Sequence, residues 1–140
     1  MPERSAALVA VIPARIGSTR FPEKPLARIA GVPMITRVVE RVRESGAFDH
    51  ILVATDEERI ANAARNAGAD ARMTDSDLAN GTLRCHAALC QWEAEVGYEA
   101  TWVVNVQGDE PFIHPEQLQK LAQLIRCLLY TSDAADEQFG

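Results

Sequence analysis

Residues 6–25 read "AALVAVIPARIGSTRFPEKP", and this stretch decides how the rest of the chain is interpreted. The apolar run at residues 6–13 predicts a buried β-strand that is covered on both faces. It leads into a loop that holds Arg15, Arg20 and Lys24, which we call the basic loop (residues 14–25). The whole chain is acidic, with a formal net charge of −6. The cations of the basic loop therefore indicate a local pocket for a small anion.

The composition is that of an ordinary globular protein. At 140 residues the chain is one domain or part of one. Apolar residues make up 47% of it and charged residues 24%, which is typical of a soluble fold. No apolar run is long enough to cross a bilayer, and we find no signal-peptide pattern. The acidic balance argues against nucleic acid and anionic membranes as partners, so we expect neither.

Cysteine usage indicates the redox setting. The chain has 3 cysteines, Cys85, Cys90 and Cys127, without a C-x-x-C pair. An odd number of scattered cysteines predicts a reduced, cytoplasmic protein without a zinc site.

Strands and helices are predicted to alternate along the chain. In the second helix we interpret Asp56 as the N-cap, and in the third helix Thr82. Pro115 suits the first turn of a last helix, which we expect to end at about Arg126. The alternation predicts an α/β fold with a mostly parallel sheet and flanking helices. We expect strands at residues 6–13, 50–55, 71–74 and 101–107, and helices within residues 31–47, 56–68, 82–96 and 115–126.

The predicted strands end in polar loops. In open parallel sheets, ligands bind beyond the carboxyl ends of the strands. Here those ends carry "PARIGSTR", "ATD" and "VQGDEP". The sequence therefore predicts a ligand site at this edge of the sheet.

The basic loop has the chemistry of a phosphate site. A glycine lets the backbone approach a ligand closely, hydroxyl groups donate hydrogen bonds, and arginine and lysine hold phosphate oxygens. The spacing is neither G-x-x-x-x-G-K-[ST] nor G-x-G-x-x-G, so a solvated basic loop is an open alternative. The candidate phosphate ligands are Arg15, Gly17, Ser18, Thr19, Arg20 and Lys24.

Two further segments carry candidate site residues. Asp109 follows the fourth predicted strand and is a candidate ligand for Mg²⁺, although a turn aspartate is the simpler interpretation. In "NGTLRCH" (residues 80–86), Gly81 allows close backbone approach and Arg84 lies at the start of a helix. A base or a ribose fits there, and simple helix capping is the alternative. The three histidines lack ligand spacing, so we do not expect them to bind a metal.

The end of the chain differs in character from the rest. Read back into codons, "CLLYTSDAADE" is compatible with a transposon-end adapter of DNA sequencing libraries. We expect residues 127–140 to be read-through from such an adapter, and residues 1–126 to be the N-terminal part of a longer domain. An ordinary amphipathic helix end is the alternative.

The motifs "IPARIGSTRFPEKPLARIAGVPMI", "VATD", "NGT-R" and "VNVQGDEP" together resemble the 3-deoxy-manno-octulosonate (Kdo) cytidylyltransferases. The resemblance runs from about Leu8 to Arg126, in the same order and spacing. It implies a Rossmann-like nucleotidyltransferase fold and a Mg²⁺-dependent transfer of CMP from CTP to Kdo, for lipopolysaccharide assembly. It also implies a homodimer for the full-length protein.

The resemblance assigns roles to individual residues. Arg15 and Lys24 would be catalytic, because their charge stabilises the transition state and the leaving pyrophosphate. Asp109 would be one Mg²⁺ ligand. The residues implied in nucleotide binding are Ala14, Arg15, Gly17, Ser18, Thr19, Arg20, Lys24, Asn80, Gly81, Thr82, Arg84 and Gln107.

The chain departs from the family pattern in two ways. Leu83 stands where the family has an acidic residue. The family's second metal-binding aspartate, most sugar-binding residues and the main dimer surface belong to a C-terminal half that is not in this sequence. We therefore expect the 140-residue chain to be inactive and marginally stable or prone to aggregate, with Val39, Leu52 and Val104 partly exposed.

Three alternatives stay open. A sister nucleotidyltransferase that uses a sialic acid or another sugar would share these motifs. A non-catalytic CTP-binding module would need no second metal ligand. A dinucleotide-dependent oxidoreductase is disfavoured, because its glycine fingerprint is absent.

Overall fold

The computed structural model describes residues 7–17, 23–78, 80–97, 99–108 and 111–139, with side chains to residue 128. Its centre is a parallel sheet of four strands, which are β1 (Leu8–Ala14), β4 (His50–Thr55), β5 (Asp70–Met73) and β6 (Trp102–Asn105). Their order in the sheet is β5-β4-β1-β6. Val11 in β1 lies beside Leu52 in β4, and Val9 in β1 lies beside Val103 in β6.

Helices cover both faces of the sheet. The apolar side chains of β1 alternate, so that Val9 and Val11 face one layer of helix while Ala10 and Ile12 face the other. The helices are α1 (Met34–Ser45), α2 (Glu58–Asn66), α3 (Gly81–Val96) and α4 (Pro115–Phe139). On one side, α3 contributes Cys85, Ala88 and Trp92 to the core, and on the other side α1, α2 and α4 supply the packing. The α/β class with a mostly parallel sheet is thus confirmed.

A small antiparallel hairpin, which the sequence did not reveal, joins the basic loop to α1. Its strands are β2 (Arg28–Ile29) and β3 (Val32–Pro33), each of 2 residues. The turn residues Ala30 and Gly31 have φ values of 52° and 83°. Two successive positive φ values suit a tight hairpin turn, but alanine rarely adopts them, so the turn leaves a weak sequence signal.

Two predicted N-caps are wrong. The N-cap of α2 is Glu57, whose carboxylate accepts a hydrogen bond from the Arg59 backbone N–H. The carboxylate of Asp56 instead accepts a hydrogen bond from the Ile16 N–H. The N-cap of α3 is Asn80, whose side-chain oxygen accepts from the Leu83 N–H at 2.9 Å, so α3 begins before Thr82.

The last helix is longer than predicted. α4 continues past Arg126 to Phe139, because residues 116–139 contain neither glycine nor proline to end it. Whether residues 127–140 are native stays a prediction. None of the helices in the described part of the chain is both long and apolar enough to span a membrane.

The expectation of exposed core residues is wrong for two of the three side chains named. Val39 and Leu52 are fully buried, because the helices of the two outer layers cover them, while Val104 is half-buried. Large apolar side chains are exposed elsewhere, among them Trp102 and Val103 on the edge strand β6, at 39% and 38%.

Candidate active site

A pocket of about 360 Å³ lies at the carboxyl end of β1, beside the loop that follows β6. It also receives residues from the short 3-10 helix Lys24–Leu26, from the start of α1 and from the start of α3. This is the edge of the sheet at which the sequence predicts a ligand site. The lining residues are Pro13, Ala14, Arg15, Lys24, Pro25, Met34, Leu78, Asn80, Gly81, Arg84, Gln107 and Gly108.

Two cations of the basic loop line this pocket. Arg15 is exposed and Lys24 is half-buried. The backbone between them closes on itself, because the Glu23 N–H donates to the Ile16 carbonyl oxygen at 2.9 Å. Arg15 immediately precedes Ile16, and Lys24 immediately follows Glu23. This hydrogen bond therefore fixes the backbone from which both cations extend beside the pocket.

The basic loop is also attached to the sheet and to α2. The Ile16 N–H donates to the Asp56 Oδ1 atom at 3.0 Å. The Glu23 carboxylate lies 3.0 Å from an Arg59 Nη atom, and Arg59 also pairs with Glu57. The hydrogen bond from Arg59 holds the pKa of the Glu57 carboxyl below its usual value.

Arg84 is the third cation of the pocket, and it is only 2% exposed. Its Nη1 atom donates to the Thr74 Oγ1 atom at 2.6 Å and to the Asp75 carbonyl oxygen at 3.1 Å. Within the described residues no carboxylate forms an ion pair with it. A buried cation without a counter-ion is costly, so the pocket is suited to an anionic ligand.

A glycine allows the loop after β6 to approach Pro13 closely. A Cβ atom on Gly108 would lie 2.4 Å from the Pro13 carbonyl oxygen, which no real side chain could tolerate without a backbone shift. A Cβ atom on Gly81 would lie 3.4 Å from the Pro13 Cγ atom, which is an ordinary van der Waals distance. The close approach to the end of β1 therefore requires glycine at position 108 but not at position 81.

Most of the predicted site residues that the structure describes line this one pocket. Gly17 and Thr82 are the exceptions: both are exposed and neither is among the lining residues. Leu83 is 46% exposed and also lies outside the lining, so the departure from the family pattern falls on the surface. Ser18, Thr19, Arg20 and Asp109 lie outside the described residues. The structure brings together Ala14, Arg15, Lys24, Asn80, Gly81, Arg84 and Gln107.

The sequence missed five lining residues. Pro13, Pro25 and Gly108 stood inside motifs that were quoted, but apolar and glycine positions carry no chemistry of their own to single them out. Met34 and Leu78 reach the pocket only through the packing of the chain.

Metal and thiol chemistry find little support among the described residues. They contain no group of three histidine, cysteine or acidic residues that could hold a metal ion. Burial raises the pKa of the Cys85 thiol to about 11, so this thiol is protonated near neutral pH. Asp109 directly follows the lining residue Gly108 in the sequence. Its role as a metal ligand stays a prediction from the sequence.

Comparison with known proteins decides the family. The model of the cytidylyltransferase family matches residues 9–134. The chain belongs to the cytidylyltransferase family.

Curated relatives and a solved structure agree with this assignment. The mitochondrial 3-deoxy-manno-octulosonate cytidylyltransferase of Arabidopsis thaliana is 47% identical over 127 residues, which are 91% of this chain and 41% of that protein. The 3-deoxy-manno-octulosonate cytidylyltransferase of Zea mays is 51% identical over 108 residues, 77% of this chain and 35% of that protein. A CMP:2-keto-3-deoxy-manno-octonic acid synthetase solved with CTP superposes with a TM-score of 0.73 at 40% identity, over 86% of this chain and 48% of that one.

The chain spans less than half the length of these cytidylyltransferases. The matches support the Rossmann-like nucleotidyltransferase fold, since the four-stranded sheet and its flanking helices superpose on the CTP-bound synthetase.

Proposed function

We propose that this chain is the nucleotide-binding part of a cytidylyltransferase that activates Kdo with CTP, giving CMP-Kdo and pyrophosphate for lipopolysaccharide assembly. The observation that carries the proposal is the meeting of Arg15, Lys24 and the buried Arg84 in one pocket. Relatives named for Kdo, at 47% and 51% identity, favour this sugar over a sialic acid.

In the proposed reaction, the anomeric hydroxyl of Kdo attacks the α-phosphorus of CTP. A new P–O bond forms, the hydroxyl loses its proton, and the bond to the β-phosphate breaks as pyrophosphate leaves. Arg15 and Lys24 would hold the triphosphate and stabilise the charge that develops on the leaving group. Asn80, Gly81 and Gln107, which line the same pocket, would contact the nucleoside.

We further propose Mg²⁺ as the cofactor, with Asp109 as one ligand. When bound, the cation would neutralise phosphate charge in the reaction. Mg²⁺ is commonly held by one or two carboxylates together with phosphate oxygens and water, so one aspartate from this chain is a partial site. The described residues hold no group of three histidine, cysteine or acidic residues that could by itself bind a metal ion.

The cellular setting and assembly are also proposals. We propose a cytoplasmic protein that acts as a homodimer when full-length, on the family resemblance. The Arabidopsis relative is named as mitochondrial. Cell fractionation therefore tests the proposed cytoplasmic location of this protein directly.

The test compares this 140-residue chain with the gene extended from its original DNA. Pyrophosphate release is measured with CTP, Mg²⁺ and either Kdo or a sialic acid. We expect the extended protein to release pyrophosphate with Kdo, and the chain as given to bind CTP without turnover. Turnover by the chain alone would refute its predicted inactivity, and an extended protein inactive with Kdo would refute the proposed activity.

A further inference from the structure

Two aspartates attach β1 to β4 at opposite ends of these strands. Asp49 precedes β4, and its Oδ2 atom accepts a hydrogen bond from the Leu8 N–H at 2.7 Å. Asp56 follows β4, and its Oδ1 atom accepts from the Ile16 N–H at 3.0 Å. The two bonds have the same chemistry, but only the second lies at the end of the sheet that holds the pocket.

Both backbone polar groups of Ile16 are hydrogen-bonded. Its N–H donates to Asp56, and its carbonyl oxygen accepts from the Glu23 N–H at 2.9 Å. Arg15 immediately precedes Ile16, and Lys24 immediately follows Glu23. The hydrogen bonds of Ile16 therefore fix the backbone next to both pocket cations, Arg15 and Lys24.

Glu23, which donates the hydrogen bond to Ile16, is attached to the helix that follows Asp56. Glu23 has a φ value of 61°, an unfavourable conformation for a residue other than glycine, which surrounding contacts must maintain. Its carboxylate pairs at 3.0 Å with Arg59 in α2, three residues after Asp56 in sequence. The segment from the end of β4 into α2 thus contacts Ile16 through Asp56 and contacts Glu23 through Arg59.

We propose that Asp56 is a positioning residue for polyphosphate binding, acting through the backbone of Ile16 on the spacing of Arg15 and Lys24. This inference rests on the proposed function, since it assumes that these cations hold a nucleotide triphosphate. A direct contact of Asp56 with the ligand is disfavoured, because a carboxylate repels phosphate groups. A charged acceptor is suited to the backbone role, because it forms the stronger kind of hydrogen bond with an N–H group.

The test uses Asp56→Ala, Asp56→Asn and the matched control Asp49→Ala in the 140-residue chain. For each, CTP affinity is measured by calorimetry, stability by urea unfolding, and exchange of the Ile16 amide proton by NMR. Loss of a hydrogen bond to a charged group predicts a CTP dissociation constant about tenfold higher for Asp56→Ala. Asp56→Asn keeps an oxygen acceptor, so it should restore most of the affinity and most of the Ile16 protection.

The control separates positioning from general stability. Asp49→Ala removes the bond to the Leu8 N–H at the other end of β1, together with the ion pair between Asp49 and Arg126. It should therefore lower stability while CTP affinity stays close to that of the parent chain. CTP binding by Asp56→Ala equal to the parent, or an equal loss in Asp49→Ala, would overturn the inference alone. A parent chain that does not bind CTP would overturn the proposed function, and the inference with it.

Discussion

At the scale of single residues, Arg84 links packing to ligand chemistry. Arginine is almost never fully buried unless it is paired, yet Arg84 is 2% exposed and bonds only to neutral oxygens, from Thr74 and Asp75, in the described part of the chain. Its sequence position at the start of a helix suggested a nucleoside contact but not its burial. Burial depends on how α3 packs against the loop after β5, which no local pattern encodes.

Replacement of Arg84 by methionine should separate stability from binding. Methionine fills a similar volume without a charge, and exchange of a buried cation for an apolar side chain is often neutral or stabilising. We expect the urea midpoint of Arg84→Met to change little, while CTP affinity falls about tenfold or more. Calorimetry and urea unfolding of the same sample check this, and unchanged CTP affinity would show that the guanidinium does not serve the ligand.

Cys85 makes the stability of the fold depend on alkaline pH. Burial raises the pKa of its thiol from 9.0 to about 11, so the folded state favours the protonated form. The resulting stabilisation is fully present below pH 9.0 and is lost as pH rises towards about 11, because the unfolded thiol ionises first. Urea midpoints of the parent should therefore fall more steeply over this interval than those of Cys85→Ala. Parallel curves would contradict the buried, protonated thiol.

At the scale of elements, the alternation of apolar strands and amphipathic helices predicted the layers of the fold. Strand patterns such as residues 6–13 and 50–55 report burial directly, so β1 and β4 were predictable. The bond from Asp56 to Ile16 was not, because it joins residues that are 40 positions apart. The local pattern placed Asp56 at a helix N-terminus, where a capping role is the common one.

The start of α3 offers a matched test of the corrected N-cap. The Asn80 side chain accepts from the Leu83 N–H, whereas Thr82 lies inside the helix and is exposed. Loss of an N-cap costs about 1 kcal/mol, so Asn80→Ala should lower the free energy of unfolding by about that amount. Thr82→Ala should leave it unchanged or raise it slightly, because alanine has the higher helix propensity. Urea unfolding measures both, and the reverse order would restore Thr82 as the cap.

At the scale of the whole molecule, large apolar side chains are exposed both at the edge strand β6 and along α4, where Leu124 and Leu128 are 57% and 50% exposed. In the described sheet β6 pairs only with β1, and it exposes Trp102 and Val103. Strand edges of this kind favour association between copies. The edge strand β6 is therefore one candidate surface for the expected aggregation, whereas Val39 and Leu52 are buried and are not.

A charge on this edge should reduce association. Val103→Lys places a charge on an exposed position, so we expect less light scattering at high protein concentration and little change in the urea midpoint. Val104→Lys is the control, since Val104 is half-buried against the core and its replacement should destabilise the fold. Equal scattering from the parent and Val103→Lys would locate the association surface elsewhere.

We propose that the basic loop, the start of α3 and the loop after β6 form one site for a nucleotide triphosphate. An NMR titration of the 140-residue chain with CTP, followed at the backbone amides, tests this. We expect the amides of Ala14, Lys24, Gly81 and Gln107 to shift together, with one dissociation constant, while Gly97 at the far end of α3 does not shift. Shifts confined to other surfaces, or no shifts at all, would contradict it.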